Sequence, residues 1–186
     1  MLFDDVAGAA GRRREQAAFA VSVVYLWVTM ILLGAVVLET FMVYPNILVD
    51  PPASLETALA FMRVSGPSDF FPPLGFLSWV AGVAAALLAW RVKDARWWVL
   101  GSVALMLADG LFSMLFHWPR NTILFVEGAA VHSAELLRAT AAEFQRLHWS
   151  RLVFTAGAAL AMFVGVLRLH RHRLLRWWSS RSAAAI

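Results

Sequence analysis

The chain has 186 residues, of which 61% are hydrophobic and 15% are charged, and its formal net charge is +4 at pH 7. Soluble domains are usually about 45–50% apolar and about 25% charged, so this composition excludes an ordinary soluble domain and indicates a membrane protein. Cysteine is absent, which excludes a disulfide framework, thiolate metal ligands and a cysteine nucleophile. The basic residues flank apolar segments, so membrane topology explains the positive charge and no nucleic-acid partner is expected.

Four apolar segments are long enough, at roughly 20 residues, to cross a bilayer as helices. They are predicted at about residues 17–44, 74–90, 97–116 and 147–167. Proline is expected to set three of their ends: Pro45 stops the first, Pro72-Pro73 precedes the second and His117-Trp118-Pro119 ends the third. The sequence therefore predicts an all-α integral membrane four-helix bundle. We expect a single domain over residues 1–186, in which residues 168–186 form a basic cytoplasmic tail.

Each of the two longer connections is predicted to contain a short helix. In the first, either Asp50 followed by Pro51, or Ser54, can cap a helix that runs to about Met62. In the second, the segment HSAELLRATAAEFQRLHW places its apolar side chains on one face. That pattern predicts an amphipathic helix that either lies on the membrane or extends the fourth span.

The distribution of Lys and Arg predicts the orientation of the bundle. Three of these residues precede the first span, three join the second and third, and five follow the fourth, which together are 11 of the 16. The positive-inside rule then places both termini in the cytoplasm, with the two longer connections facing outward.

A glutamate interrupts the first apolar span, within the stretch LGAVVLETFMVYPN. A carboxylate at the centre of a bilayer costs roughly 2.5–3.5 kcal/mol on insertion scales unless it is protonated or paired. Glu39 therefore needs a partner on another helix. Arg151 in the fourth span is the natural counter-ion for Glu39 or for Asp109 in the third span. One cation serving two carboxylates implies that the carboxylates share a proton.

Two other spans carry polar faces at a depth similar to that of Glu39. Helical spacing aligns these groups on two faces: Ser102, Asp109, Ser113 and His117 on the third span, and His148, Arg151 and Thr155 on the fourth. Because polar groups face lipid only at a high cost, the faces are expected to converge. The sequence thus predicts an outward-facing polar cavity able to supply a general base or a proton relay. Polar residues that only hold helices together are the alternative.

The histidines also permit a weaker metal hypothesis. His132-x-x-Glu135 has the three-residue helical spacing used in carboxylate-bridged metal sites. With His117 and His148 it would complete a set of ligands. One such motif arises easily by chance, so the sequence favours a site without a metal or another cofactor.

Several stretches carry a resemblance to a known family. They are ETFMVYPN at the end of the first span, SLETALAFMRVSGPSDFFPPLGFL, Pro119-Arg120-Asn121 after the third span, and LHWSRLVFTAGAALA at the start of the fourth. Over about residues 20–167 the chain resembles the anthrone-oxygenase-like family of small four-helix membrane proteins. The resemblance implies insertion of oxygen from O2 into a polyketide anthrone, without flavin, haem or metal. It assigns the working residues to Asn121, His148 and Arg151.

Two functions from different classes follow from these observations. The first is a cofactor-independent oxygenase acting on a small hydrophobic anthrone-like or quinol-like substrate. In it, His148 or Glu39 removes a proton, while Arg151 and Asn121 hold the oxyanion. The second is a non-catalytic membrane subunit, or a lipid- or quinone-binding protein, that packs against a larger partner or another copy of itself. For either function we expect a bacterial cytoplasmic membrane.

Overall fold

Four long helices make up most of the molecule. The computed structural model describes residues 2–184, with side chains described for residues 11–179 and 182. The long helices are α1 (Leu2–Leu38), α4 (Pro67–Ala89), α5 (Lys93–Phe112) and α8 (Ala134–Ala184). Four shorter helices join them: α2 (Tyr44–Ile47), α3 (Ala53–Phe61), α6 (Trp118–Asn121) and α7 (Gly128–Val131). Residues 2–184 contain no β-strand.

The long helices pack in a ring, in which α1 contacts α4 and α8, and α5 contacts the same two helices. Four segments are long and apolar enough to cross a membrane: Gly11–Ile47, Pro67–Ala89, Lys93–Val131 and Ala134–Ser179. The predicted all-α integral membrane four-helix bundle is therefore confirmed. Small residues bring the helices close together, since Ala85 and Ala89 of α4 are fully buried. A Cβ added at Gly165 of α8 would lie 3.2 Å from Val99 of α5.

Two apolar clusters form the core. The larger one fills the centre of the ring around Tyr25, Val99 and Met162. The smaller one lies at the end of the bundle away from the chain termini, where Leu55 of α3 and Leu124 pack against Phe144 of α8. The short helices of the connections thus cover that end of the bundle with apolar side chains.

Two helices continue past the prolines that were expected to stop them. After α1 the chain forms a π-helical segment, Glu39–Val43, and then α2, so the helix ends at Ile47 rather than at Pro45. In the third span, the π-helical segment Ser113–His117 leads into α6, and a further π-helical segment, Thr122–Glu127, leads into α7. The helices can continue past Pro45 and Pro119 because the turn before each proline is wider than an α-helical turn. Proline lacks an N–H and its ring clashes with the carbonyl four residues back, and a π-helical turn changes that spacing.

The helix of the second span, α4, begins at Pro67, earlier than the predicted start at about residue 74. Gly66 precedes the first residue of α4, and its N–H donates to the Asp69 carboxylate at 2.8 Å. Pro72 and Pro73 consequently lie inside α4 instead of before it. In the first connection, α3 confirms the predicted short helix, but Pro52 holds the capping position without a side-chain bond.

The fourth span and both of its flanks form one helix. The amphipathic segment extends the span instead of lying on the membrane, since α8 runs unbroken for 51 residues. At 1.5 Å per residue this helix is about 76 Å long, well beyond the roughly 30 Å of a hydrocarbon core. Ser133 starts it by accepting a bond from the N–H of Leu136 at 3.3 Å. The predicted basic tail continues this helix as far as Ala184.

Candidate functional site

Four of the predicted site residues meet inside the bundle. Glu39 Oε2 lies 3.8 Å from Arg151 Nη1 and 3.8 Å from His148 Nε2. Arg151 Nε lies 3.6 Å from Asp109 Oδ1. The four side chains come from three different spans, and none is more than 12% exposed. We call Glu39, Asp109, His148 and Arg151 the polar cluster.

Arg151 is the single cation among these four when His148 is neutral. It lies between two carboxylates, and its Cζ atom lies 4.9 Å from the centre of the Phe71 ring. A guanidinium over an aromatic face gains a further electrostatic attraction. The arrangement agrees with the expected pairing of Arg151 with both Glu39 and Asp109.

Tyr44 completes the surroundings of Glu39 and was not predicted. Its hydroxyl donates to Glu39 Oε1 at 2.9 Å, and its ring lies edge-on to His148 with the centroids 4.5 Å apart. At 3.6 residues per turn, residues five apart in an α-helix point about 140° away from each other. The π-helical segment brings Glu39 and Tyr44 to the same side, since the N–H of Tyr44 bonds to the carbonyl of Glu39.

His117 lies beside the polar cluster. It is only 2% exposed, and its ring centroid is 5.9 Å from that of His148. The ring of Phe144 lies against both histidines, at 5.3 Å from His117 and 6.2 Å from His148. His117 ends the π-helical segment of the third span, as Glu39 begins that of the first. The sequence placed His117 on a polar face that was expected to converge with the face of His148, and the two rings do lie close together.

Several buried polar atoms of these residues have no hydrogen-bond partner among the described residues. They are Glu39 Oε2, Asp109 Oδ1, Arg151 Nε and both ring nitrogens of His117 and of His148. The ion-pair distances of 3.6–3.8 Å exceed ordinary hydrogen-bond lengths. Buried polar groups are nearly always satisfied, and concentrations of unsatisfied ones call for an explanation. Among these atoms, Glu39 Oε2 lies opposite His148 Nε2, and Arg151 Nε lies opposite Asp109 Oδ1, so the polar cluster has unused hydrogen-bonding capacity.

A cavity of about 520 Å³ reaches this region from the side of the bundle. It is lined by residues of the π-helical segment Glu39–Val43, of α2 and of α8: Thr40, Tyr44, Pro45, Ala142, Gln145, Arg146, His148 and Trp149. Its volume lies within the roughly 300–1,000 Å³ of small-molecule sites. His148 and Tyr44 line the cavity and also contact Glu39, so they connect it to the polar cluster. Arg151 and Asp109 lie behind them.

The remaining predicted site residues lie elsewhere. Asn121 ends α6 and is half-buried, and no hydrogen bond or ion pair among the described residues joins it to the polar cluster. His132 precedes the start of α8, so it and Glu135 lack the helical spacing that the metal hypothesis required. His132 Nε2 instead lies 2.6 Å from Glu127 Oε2. Within the described side chains, no group of three or more His, Cys, Asp or Glu could hold a metal ion.

Two hydroxyls on the predicted polar faces have structural bonds. Thr155 donates to the carbonyl of Arg151 at 2.7 Å, within its own helix. Ser102 donates to the carbonyl of Ala158 at 2.8 Å and thereby ties α5 to α8. The bond of Ser102 agrees with the helix-packing interpretation, whereas the bond of Thr155 stays within α8.

Comparisons with protein-family models, with curated proteins and with solved structures found no match for this chain.

Proposed function

We propose that this protein is a membrane enzyme of the cofactor-independent oxygenase type, acting on a small hydrophobic substrate with an acidic C–H bond. The observation that carries the proposal is a buried imidazole, His148, that lines a cavity of about 520 Å³ and has a carboxylate and a cation behind it. The resemblance to the anthrone-oxygenase-like family supports the same chemistry. The proposed reaction uses no cofactor, because deprotonation of an acidic C–H bond gives a carbanion that can react with O2 directly.

His148 is the better general base of the two that the sequence offered. It lines the cavity, whereas Glu39 does not. Glu39 Oε2 lies 3.8 Å from His148 Nε2, so the carboxylate can orient the imidazole and stabilise its protonated form. Tyr44 fixes the other carboxylate oxygen of Glu39 by a hydrogen bond of 2.9 Å. Glu39 is thus a positioning residue for His148.

The proposed reaction balances without an added reductant. His148 takes one proton from the substrate CH2 group, and the carbanion adds O2 to give a peroxide anion at that carbon. The peroxide anion takes the proton back from His148 and becomes a hydroperoxide, which leaves His148 neutral again. Loss of water from the hydroperoxide leaves a carbonyl, so that one CH2 and one O2 become one C=O and one H2O. Arg151 offsets one of the two carboxylate charges of Glu39 and Asp109, which share a proton. From its position behind His148, its charge lowers the energy of the negative charge that develops on the substrate.

O2 uptake by purified protein supplied with emodin anthrone tests the proposal. We expect turnover by the wild type and a loss of about 10²–10⁴ in kcat for His148→Gln. Arg120→Met is the matched control for Arg151→Met. Arg120 bonds to Glu143 at 2.5 Å, outside the polar cluster. If wild type, His148→Gln and Arg151→Met all stay at the uncatalysed rate across a panel of anthrones and quinols, the enzyme proposal is refuted.

A lipid- or quinone-binding protein, alone or with a larger membrane partner, is the second candidate. The same cavity supports it, since Trp149 lines the cavity and is 51% exposed. If this candidate is correct, a bound quinone should quench the tryptophan fluorescence of the wild type more than that of Trp149→Phe, and no O2 should be consumed. Quenching without O2 uptake therefore selects this candidate over the enzyme. A stoichiometric partner chain after purification in a mild detergent would favour a subunit.

A further inference from the structure

A second cavity lies at the opposite end of the bundle, where the two ends of the chain meet. It has a volume of about 240 Å³ and is formed by α1, α8 and the turn between α4 and α5. Six of its lining residues are ionisable: Arg14, Glu15, Arg91, His172, Arg173 and Arg176. Because four of these are arginines and one is a carboxylate, the cavity carries a strong positive charge. We call it the basic cavity.

Two of the four arginines are engaged by the protein itself. Arg176 forms an ion pair with Glu15, and this pair joins the two ends of the chain. Arg14 donates to the carbonyl of Leu87 at 3.0 Å, in the last turn of α4. A cation at the C-terminal end of a helix is favoured by the helix dipole. These two arginines thus have structural partners.

The other two arginines have no anionic partner in the described part of the chain. Arg91 is exposed, and Arg173 lies over the ring of Phe19, with its Cζ atom 4.4 Å from the ring centre. Neither one is within ion-pair distance of a described carboxylate. Two buried apolar residues, Ala18 and Leu169, also line the basic cavity. An anion in the basic cavity would therefore meet two unpaired guanidiniums above an apolar surface.

Membrane topology alone does not require arginines from different parts of the chain to line one cavity. The positive-inside rule asks for basic residues anywhere in the flanking segments, and Arg168 and Arg171 satisfy it from exposed positions on α8. Arg91 and Arg173 instead come from different parts of the chain and line one cavity.

Exposed tryptophans near the basic cavity indicate its position along the membrane normal. Trp90 and Trp178, at the same end of the bundle, are 52% and 63% exposed. Exposed tryptophans typically lie at the headgroup level of a bilayer. Leu87, one turn further into α4, is 64% exposed and apolar. The cavity is thus open at the depth of lipid phosphates, and basic pockets between membrane helices bind such headgroups.

We propose that the basic cavity binds the phosphate of an anionic phospholipid, with Arg91 and Arg173 as its ligands. The cavity accommodates a headgroup, and the acyl chains stay in the bilayer beside α4. This site is independent of the polar cluster and of any oxygenase activity. Its role is to hold the ends of α1, α4 and α8 together through a shared lipid.

Native mass spectrometry of the full-length protein tests this site, with dioleoyl phosphatidylglycerol and dioleoyl phosphatidylcholine as probes. We expect one phosphatidylglycerol molecule to be retained in preference to phosphatidylcholine. Arg91→Gln with Arg173→Gln should weaken its retention about 25-fold, at about fivefold for each arginine–phosphate contact that is lost. The matched control, Arg168→Gln with Arg171→Gln, removes the same amount of charge from residues that do not line the basic cavity, so it should weaken retention much less.

Two further arms keep the test decisive. Glu15→Gln removes the carboxylate of the basic cavity, and we expect it to strengthen retention of phosphatidylglycerol, a gain that misfolding does not produce. Inorganic phosphate at millimolar concentration should not displace the lipid. Equal losses in the two double variants would show that diffuse charge attracts the lipid, and would overturn the proposal. Displacement by phosphate, or no preference over phosphatidylcholine, would also overturn it.

Discussion

The ion pair between Glu39 and Arg151 allows the most direct test of the polar cluster. Their side chains are 7% and 12% exposed, and their charged atoms lie 3.8 Å apart. With an effective dielectric constant of about 20, two unit charges at this distance attract each other by about 4 kcal/mol. Desolvation of both ions offsets much of this attraction. Glu39→Gln keeps the shape of the side chain, removes its charge and leaves Arg151 with Asp109, 3.6 Å away.

Removing one partner of a buried ion pair typically costs about 3–5 kcal/mol. Because Asp109 retains its contact with Arg151, we expect Glu39→Gln to lower the free energy of unfolding by about 2–3 kcal/mol. Arg151→Met should lower it more, since it leaves two buried carboxylates without a cation. The double variant should lose about 1–3 kcal/mol less than the sum of the single losses.

Unfolding by SDS in mixed micelles provides these free energies for the wild type, both single variants and the double variant. The matched control is the pair of Arg120 and Glu143, whose carboxylate is 47% exposed. We expect Arg120→Met and Glu143→Gln to couple by less than about 1 kcal/mol. Additive effects of Glu39→Gln and Arg151→Met, within about 0.5 kcal/mol, would refute the pairing and the polar cluster with it.

Two further predictions concern packing and orientation. Gly110→Ala should destabilise the protein by about 1–3 kcal/mol in the same SDS assay, because its Cβ would lie 2.2 Å from Trp79, whereas Gly34→Ala, with nothing within 4 Å, should have no such cost. Single cysteines at the exposed positions Ser65 and Ser179 report orientation, since the chain has no cysteine of its own. An impermeant maleimide applied to intact cells should label position 65 and not 179, and the opposite pattern would reverse the predicted topology.

Hydrophobic length and helical spacing were sufficient to predict the bundle and the core of its polar cluster. A run of about 20 apolar residues has few alternatives to a membrane helix, so all four spans were found. The offsets of three and four residues placed His148 and Arg151 on one face of a long α-helix. That helix is regular in the structure, so the predicted face was the real one. The high cost of exposing Glu39 to lipid then implied that it faces Arg151.

The ends of the helices were predicted less well, because proline was treated as a stop. Pro45 and Pro119 lie inside helices that widen to π-helical turns just before them. A turn of that kind depends on how the backbone satisfies its bonds, which no spacing rule at 3.6 residues per turn describes. The contact between Tyr44 and Glu39 was not predicted for the same reason, because it needs a helical turn in which residues five apart lie on the same side. The helical spacing of His132 and Glu135 was predicted wrongly for a related reason, since the chain is not helical at His132.

Two of the three π-helical segments, Glu39–Val43 and Ser113–His117, have a common pattern that the third, Thr122–Glu127, lacks. Each begins five residues before an aromatic residue that is followed by proline: Glu39 before Tyr44-Pro45, and Ser113 before Trp118-Pro119. The first turn begins with Glu39, and the second ends with His117. In regular α-helices, Glu39 and Tyr44 would point about 140° apart, and the carboxylate would lose its hydroxyl donor. The prolines, which cost stability inside a helix, thus stand where the polar cluster needs an irregular backbone. π-Helical turns occur frequently at functional sites, so this backbone is consistent with the proposed positioning role of Glu39.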